Sequence, residues 1–302
     1  MTVKRCQWSG GFQPSAGERS ILGTRVLILW PGVRSCASQA SYDPIVTTVR
    51  DLSDAIAERT RPENAAEWDP VGLQLGDPSS QVDSVGVCHE VTEEVLDRLA
   101  ESQVDLLVTY HPLLFEPTNR LLAGRSAESR AFRLVSMGTS LLVTHTDFDA
   151  ALGGAADALA AALGLQHPEP FGGDADLGTP GIGRVGVLNA RLAVLDARVS
   201  NAFGHTGLRI TGYRHSHVDR VAVIPGSGSD FISAAADVAE VLVTGDVPHH
   251  RAVRAMDLGL GIVDPGHIAT ERPGMKALVE LVTHLSEVEV IDLTHIDPQT
   301  WA

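Results

Sequence analysis

The chain has 302 residues, of which 44% are hydrophobic and 20% are charged, so it can bury a sizeable core without cross-links. Its formal net charge of −15 disfavours general nucleic-acid binding, because an acidic surface repels phosphate backbones. Three cysteines (Cys6, Cys36 and Cys88) are too few and too widely spaced for a disulfide framework or a CxxC zinc site. We therefore expect a cytoplasmic protein in which histidines and carboxylates hold any metal ion.

Residues 1–42 differ in composition from the rest of the chain. They contain five basic residues and one acidic residue: Lys4, Arg5, Arg19, Arg25, Arg34 and Glu18. The apolar stretch at residues 26–30 is too short for a signal sequence or a membrane span, and no later segment is apolar enough to cross a membrane. Two interpretations are open. Residues 1–42 are either an organelle transit peptide or, as the abrupt onset of helical order at Asp43 favours, a disordered upstream extension or a mis-called start.

The first predicted helix starts at Asp43-Pro44, where an N-cap residue precedes a proline. Four apolar residues at helical spacing share one face of this helix: Ile45, Val49, Leu52 and Ile56. Pro62 ends the helix, and a loop rich in Gly and Pro covers residues 66–76. Strands and helices then alternate. The predicted strands are residues 84–88, 104–110 and 140–144, and the predicted helices are residues 92–101, 126–136 and 154–163.

Residues 167–186 are rich in Gly, Pro and Asp, which predicts a linker loop. Beyond it the alternation resumes. Strands are predicted at residues 187–195, 218–224, 241–244, 261–263 and 288–293, and helices at residues 229–237, 250–256 and 275–285. The pattern predicts an α/β fold with mixed sheets in two similar lobes, residues 43–166 and 187–302, which face a shared site and can pack as one domain.

Polar residues follow three of the predicted strands, and strand ends are where α/β proteins place functional groups. His267 and Glu271 are four residues apart, so one helical turn would put both side chains on the same side, where they can share an ion. His111 and Asp149 would add a second imidazole and a second carboxylate. This cluster suits Zn, Fe, Mn, Co or Ni. A bridging carboxylate, for which Asp149 is the candidate, can hold two such ions about 3.5–4 Å apart.

Each of these residues also has an ordinary structural interpretation. A histidine after a strand, such as His111, is often only hydrogen-bonded in a loop, and Asp149 can cap the alanine-rich helix that follows. The coincidence of three polar strand ends is what favours a metal site. Asp246 and His250 are candidate acid–base groups, with a solvated helix start as the alternative.

Two other motifs do not indicate function. Residues 181–186 match GxGxxG, but no strand precedes them and a strand is predicted to follow, so a dinucleotide site is excluded. A Cys88–His89 nucleophile is disfavoured because adjacent residues on a strand point to opposite faces.

Six segments, in order, carry a resemblance to a known family. They are residues 67–77 (Glu-Trp-Asp-Pro-Val-Gly-Leu-Gln-Leu-Gly-Asp), 110–115 (Tyr-His-Pro-Leu-Leu-Phe), 145–150 (His-Thr-Asp-Phe-Asp-Ala), 183–186 (Gly-Arg-Val-Gly), 244–246 (Thr-Gly-Asp) with His250, and 266–271 (Gly-His-Ile-Ala-Thr-Glu). The sequence resembles the Nif-three-like dinuclear-metal proteins, also labelled GTP cyclohydrolase I type 2, over about residues 45–295.

The resemblance implies paired α/β lobes with two divalent metal ions per chain between them, and a homohexamer. The family's ligands map onto Tyr110, His111, Asp149, His267 and Glu271. Much of the family has His-His-Pro where this chain has Tyr110-His111-Pro112, although a Tyr-His-Pro form resembles a known variant. Because a phenol is a poor ligand near neutral pH, we expect the second ion to bind weakly or to be absent.

Two hypotheses about function follow. The first is a metal-dependent hydrolase that acts on a nucleotide-like small molecule, in line with the family label. The second is a non-catalytic metal-binding scaffold or regulator, which the tyrosine at position 110 favours slightly.

Overall fold

The computed structural model describes residues 47–173, 181–204, 207–212 and 217–297. The predicted helix start at Asp43-Pro44 and the predicted disordered extension lie outside the described residues. The first described helix is α1 (Val49–Thr60). The side chain of its N-cap residue Thr48 accepts a hydrogen bond from the Asp51 backbone, and the Asp51 side chain accepts one from the Thr48 backbone. This capping box satisfies backbone groups that the first helical turn leaves unpaired.

The first sheet contains the buried strands of the first half of the chain and one strand from the C-terminal end. Its strands are β1 (Gly72–Leu75), β2 (Ser84–Cys88), β3 (Leu106–Thr109), β4 (Ser140–Val143) and β11 (Glu289–Asp292). Their spatial order is β1-β4-β3-β2-β11. Strands β11, β2, β3 and β4 run parallel, and β1 pairs antiparallel with β4. All residues of β3 and β4 are buried, as expected for strands covered on both faces.

Helices alternate with these strands as predicted. They are α2 (Glu93–Ser102), α3 (Ala127–Met137), α4 (Thr146–Ala150) and α5 (Ala155–Ala162). The predicted cap at Ser126 is confirmed, because its side chain accepts a hydrogen bond from the backbone of Ser129. Hydrophobic residues of α2 and α3 pack on one face of the first sheet, in a core that includes Leu99, Leu107 and Leu134.

The second sheet contains strands β5 to β10, numbered in chain order. They are β5 (Gln166–Phe171), β6 (Gly183–Arg191), β7 (Arg209–Thr211), β8 (His217–Val223), β9 (Val241–Val243) and β10 (Gly261–Asp264). The spatial order is β5-β6-β8-β9-β10-β7. Strands β8, β9 and β10 are parallel, whereas β5, β6 and β7 join by antiparallel pairing. The helices of this half are α6 (Leu192–Phe203), α7 (Ile232–Val238), α8 (His249–Asp257) and α9 (His267–Leu285).

The mixed α/β fold with two sheets is therefore as predicted, but four local predictions are wrong. The predicted loop at residues 66–76 contains β1. The predicted linker at residues 167–186 contains β5 and the start of β6, whose edge pairing is not visible in a Gly- and Pro-rich sequence. The predicted strand at residues 187–195 ends at Arg191, where α6 begins. The predicted helix at residues 275–285 starts eight residues earlier, at His267.

Helix α9 connects the cores of the two sheets. Its residues Met275, Leu278 and Val282 pack with α1 and the first sheet, whereas Ala269 packs in the core of the second sheet. The last strand, β11, then returns to the first sheet. Residues 45–302 form one compact unit, and the division into lobes at residues 43–166 and 187–302 stays a prediction. In the described part of the chain, every helix is too short or too polar to span a membrane.

A buried arginine ties the first half of the chain to the second sheet. Arg184, on β6, donates hydrogen bonds to the carbonyl oxygens of Ala150 and Ala151 at 3.0 Å each and pairs with Asp157 at 2.5 Å. Arg184→Met should destabilise the protein by about 3 kcal/mol or more, because the carbonyls of Ala150 and Ala151 and Oδ1 of Asp157 would lose a buried charged donor. Denaturant unfolding would measure the loss. Arg98→Met, which removes an exposed arginine paired with Glu101, should cost less than about 1 kcal/mol. Equal effects of the two changes would contradict a structural role for Arg184.

Candidate metal centre

Parallel strands of both sheets end near one group of side chains. In the first sheet, His89 follows β2 and His111 follows β3 by two residues, whereas Asp149 lies in α4 after β4. In the second sheet, Asp246 follows β9 and His267 opens α9 after β10. The carboxyl ends of parallel strands lie at one edge of a sheet, where α/β proteins bind ligands. The topology therefore explains why these distant residues are close in space.

Glu271 is the centre of the group. Its carboxylate is 2% exposed and contacts three imidazoles: Nε2 of His89 lies 2.7 Å from Oε2, and Nε2 of His267 and of His111 lie 3.0 Å and 3.5 Å from Oε1. The contact between His267 and Glu271 within one turn of α9 is the four-residue spacing seen in the sequence. Helical geometry at the start of α9 is what makes that spacing useful.

Three of these residues offer ligand atoms that all lie within 4.8 Å of one another: His89, His111 and Glu271. Nδ1 of His89 is buried and has no hydrogen-bond partner in the described part of the chain. Two imidazoles and a carboxylate form a donor set that divalent transition metals accept, with a coordination position left for water or substrate. The side chains present therefore fit a divalent metal ion.

The protonation of Glu271 suits this role. Burial alone would raise the pKa of its carboxyl, but hydrogen bonds from His111, His267 and His89 outweigh burial and hold that pKa well below the ordinary value. Glu271 is thus a carboxylate at neutral pH. For His267, burial lowers the imidazole pKa, whereas Glu271 and Asp246 raise it, to about 9 in total.

Tyr110 and Asp149 form a second, adjacent pair. The Tyr110 hydroxyl donates a hydrogen bond to Oδ1 of Asp149 at 2.5 Å, and both side chains are buried. Burial, followed by the negative charges of Asp149 and Glu271, raises the pKa of Tyr110 well above its ordinary value. Burial also raises the pKa of Asp149, against the hydrogen bond from Tyr110. The phenol is therefore neutral and serves Asp149 as a hydrogen-bond donor.

A third element of the site is an oriented histidine. Oδ2 of Asp69 accepts hydrogen bonds from Nδ1 of His145 at 3.0 Å and from the backbone and hydroxyl of Thr146, at 3.0 Å and 2.5 Å. Burial of Asp69 would raise its pKa, but the contacts with His145 and Thr146 lower it overall. Because an ionised carboxylate only accepts, Nδ1 of His145 carries the proton and Nε2 is the nitrogen left for another partner.

The four histidines of this site border one pocket of about 540 Å³. Its lining includes the four histidines, several apolar residues and three charged residues: His89, His111, His145, His267, Val91, Pro112, Leu113, Phe115, Ile268, Glu90, Arg130 and Asp246. Phe115, at the edge of the pocket, stacks with Trp68 outside the lining, with ring centroids 6.3 Å apart, and Trp68 is 63% exposed. The volume suits a small molecule.

A sequence profile of the Duf34/NIF3 family (NGG1p interacting factor 3) matches residues 47–298. The chain belongs to the Duf34/NIF3 family. A relative from Lactococcus lactis, named GTP cyclohydrolase 1 type 2 homolog, is 31% identical over 68% of this chain and 80% of its own length. A homolog of the same name from Streptomyces coelicolor is 34% identical over 70% of this chain and 77% of its own length. The structure of reduced HcgD from Methanocaldococcus jannaschii, which is 26% identical, superposes with a TM-score of 0.72 over 82% of this chain and 98% of that one.

This family member brings together most residues singled out in its sequence. His111, His267 and Glu271 lie in direct contact, and Tyr110 and Asp149 are adjacent, although Asp149 is not part of the described three-residue group. Asp246 accepts from Nδ1 of His267 at 3.0 Å. His250, by contrast, is exposed in the first turn of α8 and does not line the pocket.

Three residues of this hydrogen-bonded site were not among the predicted site residues: His89, Asp69 and His145. Asp69 and His145 lie in segments that carry the family resemblance. His89 appeared only as a possible activator of Cys88. Burial raises the pKa of the Cys88 thiol to about 12, so it is no nucleophile. The alternation of side chains along β2, which argued against that pair, also puts His89 on the side opposite Cys88, where Glu271 lies. That alternation was the signal that could have found it.

Gly226 leaves room for the Glu271 carboxylate. It has φ +64°, and a Cβ at this position would lie 2.5 Å from Oε1 of Glu271. Gly226→Ala should displace the carboxylate, lower metal binding by at least tenfold and destabilise the fold by about 1–2 kcal/mol for the left-handed backbone alone. Gly153→Ala is the matched control, because Gly153 has φ +76° and open space around its Cβ position. Elemental analysis should show metal retained in Gly153→Ala. Equal metal in both variants would contradict the prediction.

Proposed function

We propose that this chain is a metal-dependent hydrolase that acts on a nucleotide-like small molecule. The observation that carries the proposal is the group of His89, His111 and Glu271 beside the pocket. Two imidazoles and one glutamate are a ligand set of catalytic zinc sites, which keep a position open, whereas structural sites are closed by four protein ligands. The names of the relatives, GTP cyclohydrolase 1 type 2 homolog, support a nucleotide-like substrate.

The ligands of a second ion are proposed on the same basis. His267 and Asp149 border the first group, and Glu271 contacts three imidazoles, so Glu271 is better suited than Asp149 to bridge two ions. The two-ion centre comes from the family resemblance. Divalent ions held there would polarise the scissile bond and activate water for attack. Zn, Fe, Mn, Co and Ni all suit this donor set.

The chain's own residues supply the rest of the proposed chemistry. His145, with its proton on Nδ1 held by Asp69, can accept a proton at Nε2 from water and return it to the leaving group. Asp69 fixes the tautomer and orientation of this imidazole, as a carboxylate does for the histidine of a hydrolase triad. The stacked rings of Trp68 and Phe115 give the rim a flat apolar surface for a planar base.

The ligand assignment can be tested with two variants. His89→Leu should weaken metal binding by roughly a hundredfold or more, because it removes a proposed ligand and not a group that only supports one. Tyr110→Phe should weaken metal binding less than His89→Leu, because the Tyr110 hydroxyl supports Asp149 and is not itself a ligand of the first group. Tyr110→Phe should instead destabilise the protein by about 1–3 kcal/mol, since it leaves a buried acceptor unpaired. Metal loss in Tyr110→Phe with metal retained in His89→Leu would reverse the assignment.

Turnover is the test of the hydrolase itself. Panels of nucleotides and phosphoesters should be incubated with the protein loaded with Mn, Fe, Zn or Co, and at least one substrate should be hydrolysed. The alternative is a non-catalytic metal-binding scaffold or regulator, favoured by the neutral phenol of Tyr110 in place of an imidazole. Silence across all metals and substrates would favour this alternative.

We also propose a cytoplasmic homohexamer, as the family resemblance implies. Light scattering should give six times the mass of one chain. A monomeric mass would contradict the proposed assembly.

A further inference from the structure

Arg130 lines the same pocket as the proposed metal ligands. It lies in α3, and its Nε atom is buried without a hydrogen-bond partner among the described residues. Another arginine on the same helix behaves differently, because Arg133 pairs with Glu93 at 3.3 Å and Asp97 at 2.6 Å on α2. Helix α3 therefore uses one arginine in surface ion pairs and presents the other to the pocket.

The buried Nε of Arg130, which has no partner among the described residues, calls for an explanation. The charge of the guanidinium cannot be removed by deprotonation, and burying a polar group without a partner costs free energy, so such groups are rare and mark unseen waters, ions or ligands. Two carboxylates also line the pocket, Glu90 and Asp246. Asp246 is paired with His267, and neither forms an ion pair with Arg130 in the described part of the chain.

The overall charge of the protein sharpens the argument. A net charge of −15 repels anions at long range, so an anionic substrate would need local cations in its pocket. Arg130 is the one residue of the described lining with a permanent positive charge. A guanidinium matches the oxygens of a phosphate through two parallel hydrogen bonds.

We propose that Arg130 binds a phosphate group of the substrate in the pocket that His89 and His111 also line, beside Glu271. This inference deepens the proposed function, since it assigns the substrate to phosphorylated small molecules. The anion site itself requires only the pocket and the guanidinium. A volume of about 540 Å³ can take a phosphorylated small molecule.

The test is calorimetric titration of the metal-loaded full-length protein with inorganic phosphate. Arg130→Met should weaken phosphate binding at least tenfold, whereas Arg133→Met, which removes the same charge from the same helix, should change it less than twofold. Arg130→Lys keeps the charge but loses the paired hydrogen bonds, so its affinity should be intermediate. Thermal unfolding of each variant shows whether it is folded. If Arg130→Met does not fold, the phosphate affinity of Arg130→Lys decides the test.

Two outcomes would overturn the anion site. One is wild-type affinity in Arg130→Met and Arg130→Lys, which would mean that phosphate binds elsewhere, for example only at the metal. The other is an absence of phosphate binding to the wild-type protein. Failure of the hydrolase proposal is distinguishable from both. Phosphate binding that depends on Arg130 without turnover of any substrate would leave the anion site established and remove the hydrolase.

Discussion

Replacing Glu271 with glutamine is expected to abolish most metal binding, with a loss of affinity of roughly a hundredfold or more, beyond the range for groups that only support a ligand. Glutamine has the size of glutamate but lacks the charge that Glu271 carries between three imidazoles. The substitution therefore changes the electrostatics of the site while keeping its shape. Elemental analysis after loading with Zn or Mn and desalting would measure metal per chain.

The loss should also appear in stability. A ligand that binds only the folded state adds about 2.7 kcal/mol at a free concentration one hundred times its Kd, so wild-type protein should gain several degrees in Tm on metal addition. Glu271→Gln should gain almost nothing. The control is Glu280→Gln on the same helix, where the glutamate is 68% exposed and lies 3.9 Å from Lys276. Metal content and metal-dependent Tm in Glu280→Gln should equal those of the wild type.

If Glu271→Gln kept wild-type metal content, the cluster around residue 271 would be a structural hydrogen-bond network. In that event the metal, if present, would bind elsewhere, and the hydrolase proposal would lose its centre. A partial loss, to half the wild-type content, would instead indicate that one of two ions depends on this carboxylate.

The strand-end argument predicted a large part of the site from the sequence. It selected His111, His267 and Glu271 because polar residues that follow apolar strands collect at one edge of a parallel sheet. The contact between His267 and Glu271 also needed a helical turn, and α9 begins at His267. Local sequence was sufficient here because a polar residue after an apolar strand and a single helical turn are both features of short segments.

Residues supplied by tertiary contacts could not be predicted in the same way. Asp69 lies in a loop, and its partners His145 and Thr146 are more than seventy residues away. Arg130 occupies a helix position that sequence cannot distinguish from a solvated one. Similarly, the return of β11 to the first sheet depends on long-range pairing with β2, which no local pattern encodes.

The short edge strands were missed for a related reason. β1 and β7 have four and three residues, and their residues are not fully buried, so they lack the apolar runs that marked β3 and β4. The start of α6 was predicted as strand because residues 192–195 form a short, continuous apolar run. The helical spacing of Leu195, Val199 and Phe203 shows only when the residues after that run are included.

Replacing Asp69 with asparagine is expected to lower kcat by about 10²–10⁴-fold on whichever substrate the wild type hydrolyses, while metal content stays unchanged. The carboxylate whose Oδ2 accepts from Nδ1 of His145 and from Thr146 would become an amide, with one oxygen and one NH₂ group. An amide can turn a donor toward His145, which favours the wrong tautomer and removes the free nitrogen from the pocket. KM should change little, because Asp69 does not line the pocket.

Three further measurements separate positioning from general damage. Asp77→Asn makes the same substitution at an exposed aspartate after β1, whose partner among the described residues is Ser79. Its kcat should match the wild type. His145→Gln should lose as much activity as Asp69→Asn. The double variant should lose no more than the worse single variant, because groups that act as a unit are not additive. Wild-type kcat in both Asp69→Asn and His145→Gln, with metal bound, would show that His145 takes no part in proton transfer. The acid–base group would then have to be sought elsewhere in the pocket.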